Sequence, residues 1–268
     1  MTDNLTISII IPVGKHEVHE ADRTFLSLLR MKDTDVEVIT VVDGVDILDV
    51  PDEDVSPLTM LHNVMSDFPE VSFKRATTIL SAQPQGPSVA RNIGVQSSTG
   101  HVITYLNVGD EIHPEWTSYL KFVYSQNIGI QLLLSAHNVL HPGAGMQLYD
   151  PHKIFQRLPQ GRRKLDSILQ YHNLVSALGI SHRRESFFLV GGFQPGIASG
   201  EEGIFTRRVA QCLEPDKSYV TEAISGIHHY PVHTSKDFPH FLVNENHRLG
   251  SMGQYLDKEW YQSYTHSA

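Results

Sequence analysis

Residues Ile7-Ser8-Ile9-Ile10-Ile11-Pro12-Val13 form a short, β-branched and almost unbroken apolar run. Such a run reads as a strand covered on both faces, because a strand with one wet face alternates polar and apolar residues. Pro12 is expected at its end, since proline cannot donate to an interior ladder. From Ala21 to Met31, Phe25, Leu26, Leu28 and Leu29 fall at helical spacing, which predicts an amphipathic helix. Asp35 to Val42 is a second apolar strand, closed by Asp43-Gly44. Strand, helix and strand with short joints make a βαβ unit, and open sheets of that kind take ligands at the carboxyl ends of their strands.

The same pattern continues along the chain. Ser72 to Leu80 reads as a strand and Gln83 to Pro87 as a loop, with Ser88 capping a helix through Ala90, Arg91, Ile93 and Val95. His101 to Leu106 is a buried strand that runs into Asn107-Val108-Gly109-Asp110-Glu111, and Pro114-Glu115-Trp116 opens another helix. A helical pattern lies around Leu58 to Met65. Further on, Ile130 to Ala136 reads as a strand, Pro142 to Gly161 as a surface excursion and Lys164 to Leu178 as a helix. The domain expected from this is 1–235, divided into 1–112 and 113–235, with a helical tail over 236–268.

Composition excludes several classes of function. The 268 residues carry 21 Lys and Arg against 30 Asp and Glu, a formal charge of −9, which argues against a nucleic-acid partner because phosphate neutralisation needs clustered cations. The single Cys212 can form neither an internal disulfide nor a cysteine-based zinc site, so the reducing cytoplasm is the default compartment. No apolar stretch approaches the roughly 20 residues of a membrane span. Peripheral contact with a membrane and the oligomeric state stay open. No Gly-x-Gly-x-x-Gly follows the first strand, which disfavours a dinucleotide-dependent oxidoreductase.

Acidic residues mark the candidate site. Asp43 and Asp110 end different strands of what should be one sheet, so both would face one crevice, where a hard cation such as Mn²⁺ or Mg²⁺ takes oxygen ligands and bridges to a diphosphate. Arg91 and Asn92 have two readings, as nucleotide contacts or as anchors of the loop to the sheet. Tyr105 and Trp116 either stack on a sugar or base or belong to the core, where Phe187 and Phe188 are also expected. His16 and His19 lie near the end of the first strand, where a phosphate or plain solvent would meet them. His228 and His229 read as neighbours on a surface strand.

The order of these elements resembles glycosyltransferase family 2. The resemblance spans roughly residues 6 to 235. It is carried by the opening strand, by Thr24-Phe25-Leu26-Ser27-Leu28-Leu29, and by Glu37 to Gly44. Gly86-Pro87-Ser88-Val89-Ala90-Arg91-Asn92-Ile93-Gly94 adds an Ala-Arg-Asn-x-Gly signature. Thr99 to Leu106 with its Asp110 turn, Val190-Gly191-Gly192-Phe193 and Glu201-Glu202 complete the series. The implied fold is an α/β GT-A fold, a Rossmann-like, mostly parallel central sheet flanked by helices, with a nucleotide-binding half fused to an acceptor-binding half. The implied activity is inverting, metal-assisted transfer from a nucleotide-diphosphate sugar, UDP-linked by frequency in the family, to a saccharide or other hydroxyl acceptor.

By position, the resemblance implies nucleotide-sugar contacts at Pro12, Asp43, Arg91, Asn92, Asn107 and Asp110. It implies cation ligands at Asp110 and His233, a catalytic base at Glu202 and a supporting acid at Glu201. The chain departs from the pattern twice. Asn107-Val108-Gly109-Asp110 stands where the family has Asp-x-Asp-Asp, and Glu202 stands where the family commonly has Asp. Glu111 is the alternative ligand if the turn shifts by one residue. The thinned turn also keeps open a second kind of protein, one that binds a nucleotide sugar or glycan without turning it over.

Overall fold

The computed structural model describes residues 5–14, 17, 20–44, 73–141, 145–153, 176–197 and 200–229. His16, His19 and His233, the helical pattern at 58–65, most of the expected helix at 164–178 and the tail at 236–268 lie outside the described residues. The N-terminal strands are β1 (Ile7–Gly14), β2 (Val36–Asp43), β3 (Arg75–Ser81) and β4 (Val102–Tyr105), with helices α1 (Ala21–Leu29) and α2 (Pro87–Ser97) between them. Then come β5 (Glu111–Ile112), α3 (Trp116–Gln126), β6 (Leu132–His141) and β7 (Gly145–Tyr149). The last elements are β8 (Ile180–Arg183), α4 (Arg184–Val190), α5 (Glu201–Cys212) and β9 (Ser218–His229).

The strands form one nine-stranded sheet in the order β3-β2-β1-β4-β8-β6-β9-β5, with β7 hydrogen-bonded to β6. The four N-terminal strands pair in parallel, as the βαβ pattern requires. Antiparallel pairing enters with β8 against β4 and β6, and with β5 against β9. The apolar run of β1 is explained by its position between two strands and two helical layers. Ile7, Ile9, Ile11 and Val13 pack with Phe25, Leu28, Trp116 and Leu120 of α1 and α3, whereas Ile10 faces Ala90, Val95 and Phe205 of α2 and α5. Each such side chain contributes about 1.5–3 kcal/mol by leaving water.

Four local expectations change. Pro12 lies inside β1, two residues short of its end; β4 pairs with β1 only over Ile7–Ile10, so the ladder on that side has already stopped. Helix α2 starts at Pro87 with Gly86 at its N-cap, and Ser88 is buried in the first turn without a capping bond. The expected surface excursion after Pro142 instead returns as β7, paired with the second half of β6. Phe188 is 52% exposed, while Phe187, Tyr105 and Trp116 are core residues.

One buried acid holds the end of the sheet remote from the candidate site. Glu37 of β2 lies opposite Ser8 of β1, accepts its hydroxyl at 2.6 Å, and accepts the backbone N–H of Thr99 at 2.7 Å and of Gly100 at 3.1 Å. Burial alone would raise this carboxyl, but the hydrogen bonds outweigh it and hold Glu37 below its ordinary value. In the core, burial pushes His182 down to about 4, where its Nε2 meets the Tyr105 hydroxyl at 2.7 Å. Both groups give up stability in acid. His182 contributes fully above the unfolded value of 6.5 and loses that contribution as pH falls toward 4; Glu37 contributes above 4.5 and loses it below. Buried His137, pushed down to about 3, adds to the same loss, so thermal unfolding followed against pH is expected to show Tm falling from pH 6.5 downward, with the fall below pH 4.5 made shallower in Glu37→Gln. A Tm that is flat from neutrality to pH 4 would contradict the assignment of His182.

Candidate active site

The site forms at the carboxyl ends of β1, β2 and β4, where the parallel strands hand over to loops. Asp43 ends β2, and its oxygens accept the backbone N–H of Gln85 at 2.8 and 3.1 Å and of Gly86 at 2.7 Å. Asp43 thus fixes the loop that enters α2. Asn92, on that helix, donates to Phe193 O at 2.9 Å and accepts Phe193 N–H at 2.8 Å, the anchoring role of its two readings.

Arg91 is the centre of the arrangement. It is 1% exposed, and its guanidinium lies 5.3 Å over the Phe193 ring. Nη1 donates to Glu201 Oε1 at 2.8 Å, while Nη2 donates to Glu202 Oε1 at 2.7 Å and to Asn107 Oδ1 at 2.9 Å. A planar guanidinium is suited to this task because its donors diverge in fixed directions. One side chain from α2 thereby joins the turn after β4 to the acidic start of α5, residues far apart in the chain. Burial pushes the Glu202 carboxyl up, Arg91 pulls it back, and the neighbouring Glu201 charge pushes it up again; the outcome lies above the ordinary glutamate value. Burial likewise works against the charge on Arg91, but the two carboxylates hold it fully protonated.

The turn after β4 is held from both sides. Thr24 Oγ1 of α1 accepts Gly109 N–H and donates to Asp110 O, each at 2.9 Å. Asp110 is 1% exposed. Its Oδ1 bonds His228 Nδ1 at 2.8 Å, and its Oδ2 is a buried carboxylate oxygen with no hydrogen-bond partner. Glu111 bonds His229 Nε2 at 2.8 Å through Oε1, and Arg30 approaches its Oε2 at 3.6 Å. Burial would push His228 down, but Asp110 against its ring, aided by the charge on Glu202, holds it above the usual histidine value.

His228 and His229 are the last two residues of β9, as a strand reading expects, but they are half-buried instead of lying on the surface. They follow the short β5–β9 pairing, in which Gly226 passes so close to Glu111 O that a Cβ there would run into it. The signal was present as two consecutive acids and two consecutive histidines, but the antiparallel register sets Glu111 opposite Ile227, and Glu111 meets His229 diagonally across the pair. Register between strands so distant in sequence is what the pattern could not supply.

Asp110 Oδ2 fits a hard cation: it is a carboxylate oxygen, buried and without a hydrogen-bond partner. Among the described residues no group of three or more His, Cys, Asp or Glu side chains is close enough to hold a metal ion. That is compatible with Mg²⁺ or Mn²⁺, which commonly rest on one or two carboxylates and complete their shell with substrate phosphates and water. Asn107 is engaged by Arg91, and Gly109 offers no side chain.

Residues 8–126 match the family model described as glycosyl transferase family 2. No curated protein sequence matches the chain. Among solved structures, S. aureus TarS in complex with UDP-GlcNAc superposes with a TM-score of 0.61 at 13% identity, covering 96% of this chain and 69% of that one. The mannosyltransferase PcManGT from Pyrobaculum calidifontis, in complex with GDP-Man and Mn²⁺, gives 0.61 at 10% identity, covering 91% of this chain and 61% of that one. At such identities the likeness is one of fold, the GT-A fold of nucleotide-sugar-dependent transferases. Among the described residues no helix is long and apolar enough to cross a membrane.

Proposed function

In a chain whose residues 8–126 belong to glycosyl transferase family 2, on a GT-A fold, we propose an inverting sugar transfer from a nucleotide-diphosphate donor, UDP-linked, to an acceptor hydroxyl. The observation that carries this reading is Arg91 Nη2, which bonds both Asn107 of the donor-side turn and Glu202 at the start of α5. Donor side and candidate base are thus held one guanidinium nitrogen apart. Residues 1–112 supply the nucleotide-sugar half and 113–235 the acceptor half. With a donor sugar against the turn, Glu202 is the group positioned to take the acceptor's proton.

Each residue then has a task of its own. An acceptor hydroxyl is a weak nucleophile at neutral pH, so Glu202 removes its proton as the new bond forms, and its raised proton affinity suits that role. Attack opposite the leaving diphosphate inverts the anomeric centre in one step. Asp110 would hold Mn²⁺ or Mg²⁺ through Oδ2, and the cation would offset charge developing on the diphosphate. His233 would be a further ligand by family position. Glu201 and Arg91 keep Glu202 oriented, and Asp43 shapes the loop that meets the nucleoside. PcManGT, described with GDP-Man and Mn²⁺, and TarS, described with UDP-GlcNAc, support the donor class.

The competing function is nucleotide-sugar or glycan binding without turnover, favoured by the engagement of Asn107 with Arg91 and by the bare Gly109. Slow release of free sugar from UDP- and GDP-linked donors in the presence of Mn²⁺ is expected for the transferase. Donor binding with no sugar released over a long incubation would instead identify the binding protein.

A further inference from the structure

The turn Asn107-Val108-Gly109-Asp110 has fewer acids than the family pattern, yet the space at Gly109 holds a carboxylate from elsewhere. A Cβ placed on Gly109 would lie 2.7 Å from Glu20 Oε2, so Glu20 stands where a side chain at position 109 would begin. Gly109 also has φ +88, a conformation that most side chains resist. Glu20 occupies the N-cap of α1 but makes no side-chain capping bond to that helix. Its backbone is fixed over the turn: Thr24 bonds Gly109 N–H and Asp110 O, and Arg23 Nη1 donates to Gly109 O at 3.3 Å. The next residue, Asp110, carries the unpartnered buried Oδ2.

Building on the cation-assisted transfer proposed above, we propose that Glu20 replaces the carboxylate missing at position 109 and acts as the second acidic group of the cation and diphosphate site beside Asp110. A divalent cation responds to where negative charge lies in space, not to which part of the chain carries it. The loop after β1 reaches the same end of the sheet as the turn after β4, because β1 and β4 are parallel neighbours. Glycine at 109 is then the counterpart of glutamate at 20. An aspartate at 109 would collide with Glu20 and place two like charges together, so the two positions act as one exchange.

The test is calorimetric titration of Mn²⁺ into the whole protein with UDP or GDP present, which needs no transfer. Glu20→Gln is expected to weaken Mn²⁺ binding by about 10- to 100-fold, the range for groups supporting a metal site, with Tm and nucleotide binding without metal unchanged. Gly109→Asp is expected to lower Tm, because the residue has φ +88 and its side chain would meet Glu20. If Glu20→Gln also lowers Tm, Glu20→Asp, which keeps the charge, decides: Mn²⁺ affinity recovered toward wild type supports the role of Glu20, and a loss equal to that of Glu20→Gln overturns it. Wild-type Mn²⁺ affinity in Glu20→Gln overturns the role of Glu20 and leaves the transferase reading standing. A wild-type protein that binds nucleotide but no Mn²⁺ overturns both the role of Glu20 and the cation's part in transfer.

Discussion

Arg91→Met is expected to destabilise the protein by about 3–5 kcal/mol, the cost of removing one partner from a buried ion pair. The methionine fills much of the same space beside Phe193, so the loss is electrostatic rather than a cavity effect. Three acceptors are left behind: Glu201 Oε1, Glu202 Oε1 and Asn107 Oδ1, all bonded by the guanidinium in the wild type. The two carboxylates, adjacent and shielded from water, must then take up protons or find new partners. The deficit should therefore shrink as pH falls. It should also shrink when Glu201→Gln and Glu202→Gln are added to Arg91→Met, because the stranded charges are gone. Chemical denaturation of the single and triple variants measures both effects. Arg91→Lys should recover only part of the loss, since one ammonium cannot reproduce three bonds in these directions. Near wild-type stability in Arg91→Met would show that Glu201 and Glu202 do not depend on this cation.

Glu202→Gln is expected to lower kcat for transfer by about 10²- to 10⁴-fold, the usual contribution of a positioned general base. The amide oxygen of glutamine can still accept the Arg91 Nη2 bond, so the clamp and the fold should persist. Donor affinity should persist with them, because the nucleotide side proposed above is built from β1, β2 and the turn after β4. Steady-state kinetics with a saturating donor, paired with nucleotide titration, separates chemistry from binding. Normal transfer by this variant would remove Glu202 from the role of base, and loss of nucleotide binding would instead make it part of the donor pocket.

The legible part of this molecule was local. Ile7 to Val13, the helix at Ala21 and the strand ending at Asp43 could be read because an unbroken apolar run marks a strand covered on both faces and 3.6-residue spacing marks a helix with one buried face, and each pattern is complete within its segment. The Ala-Arg-Asn-x-Gly segment could be placed on a helix for the same reason. What Arg91 does there could not be read, since its three acceptors come from residues 107, 201 and 202, and their convergence depends on how α2, β4 and α5 pack. β7 was missed because exposed Met146 and Leu148 give it no polar outer face to mark an alternation.

The sequence by itself determined the α/β class, the parallel N-terminal strands and the strand ends at which acids gather, because these follow from short-range pattern and chain chirality. Only the tertiary structure decided which acids are committed and which are open. Asp43 is bound to a loop, Glu201 and Glu202 share one guanidinium, and Asp110 keeps one oxygen without a partner. It also brought His228 to Asp110 and Glu20 to Gly109. Those contacts depend on strand register and helix placement across long stretches of chain, and no local spacing encodes them.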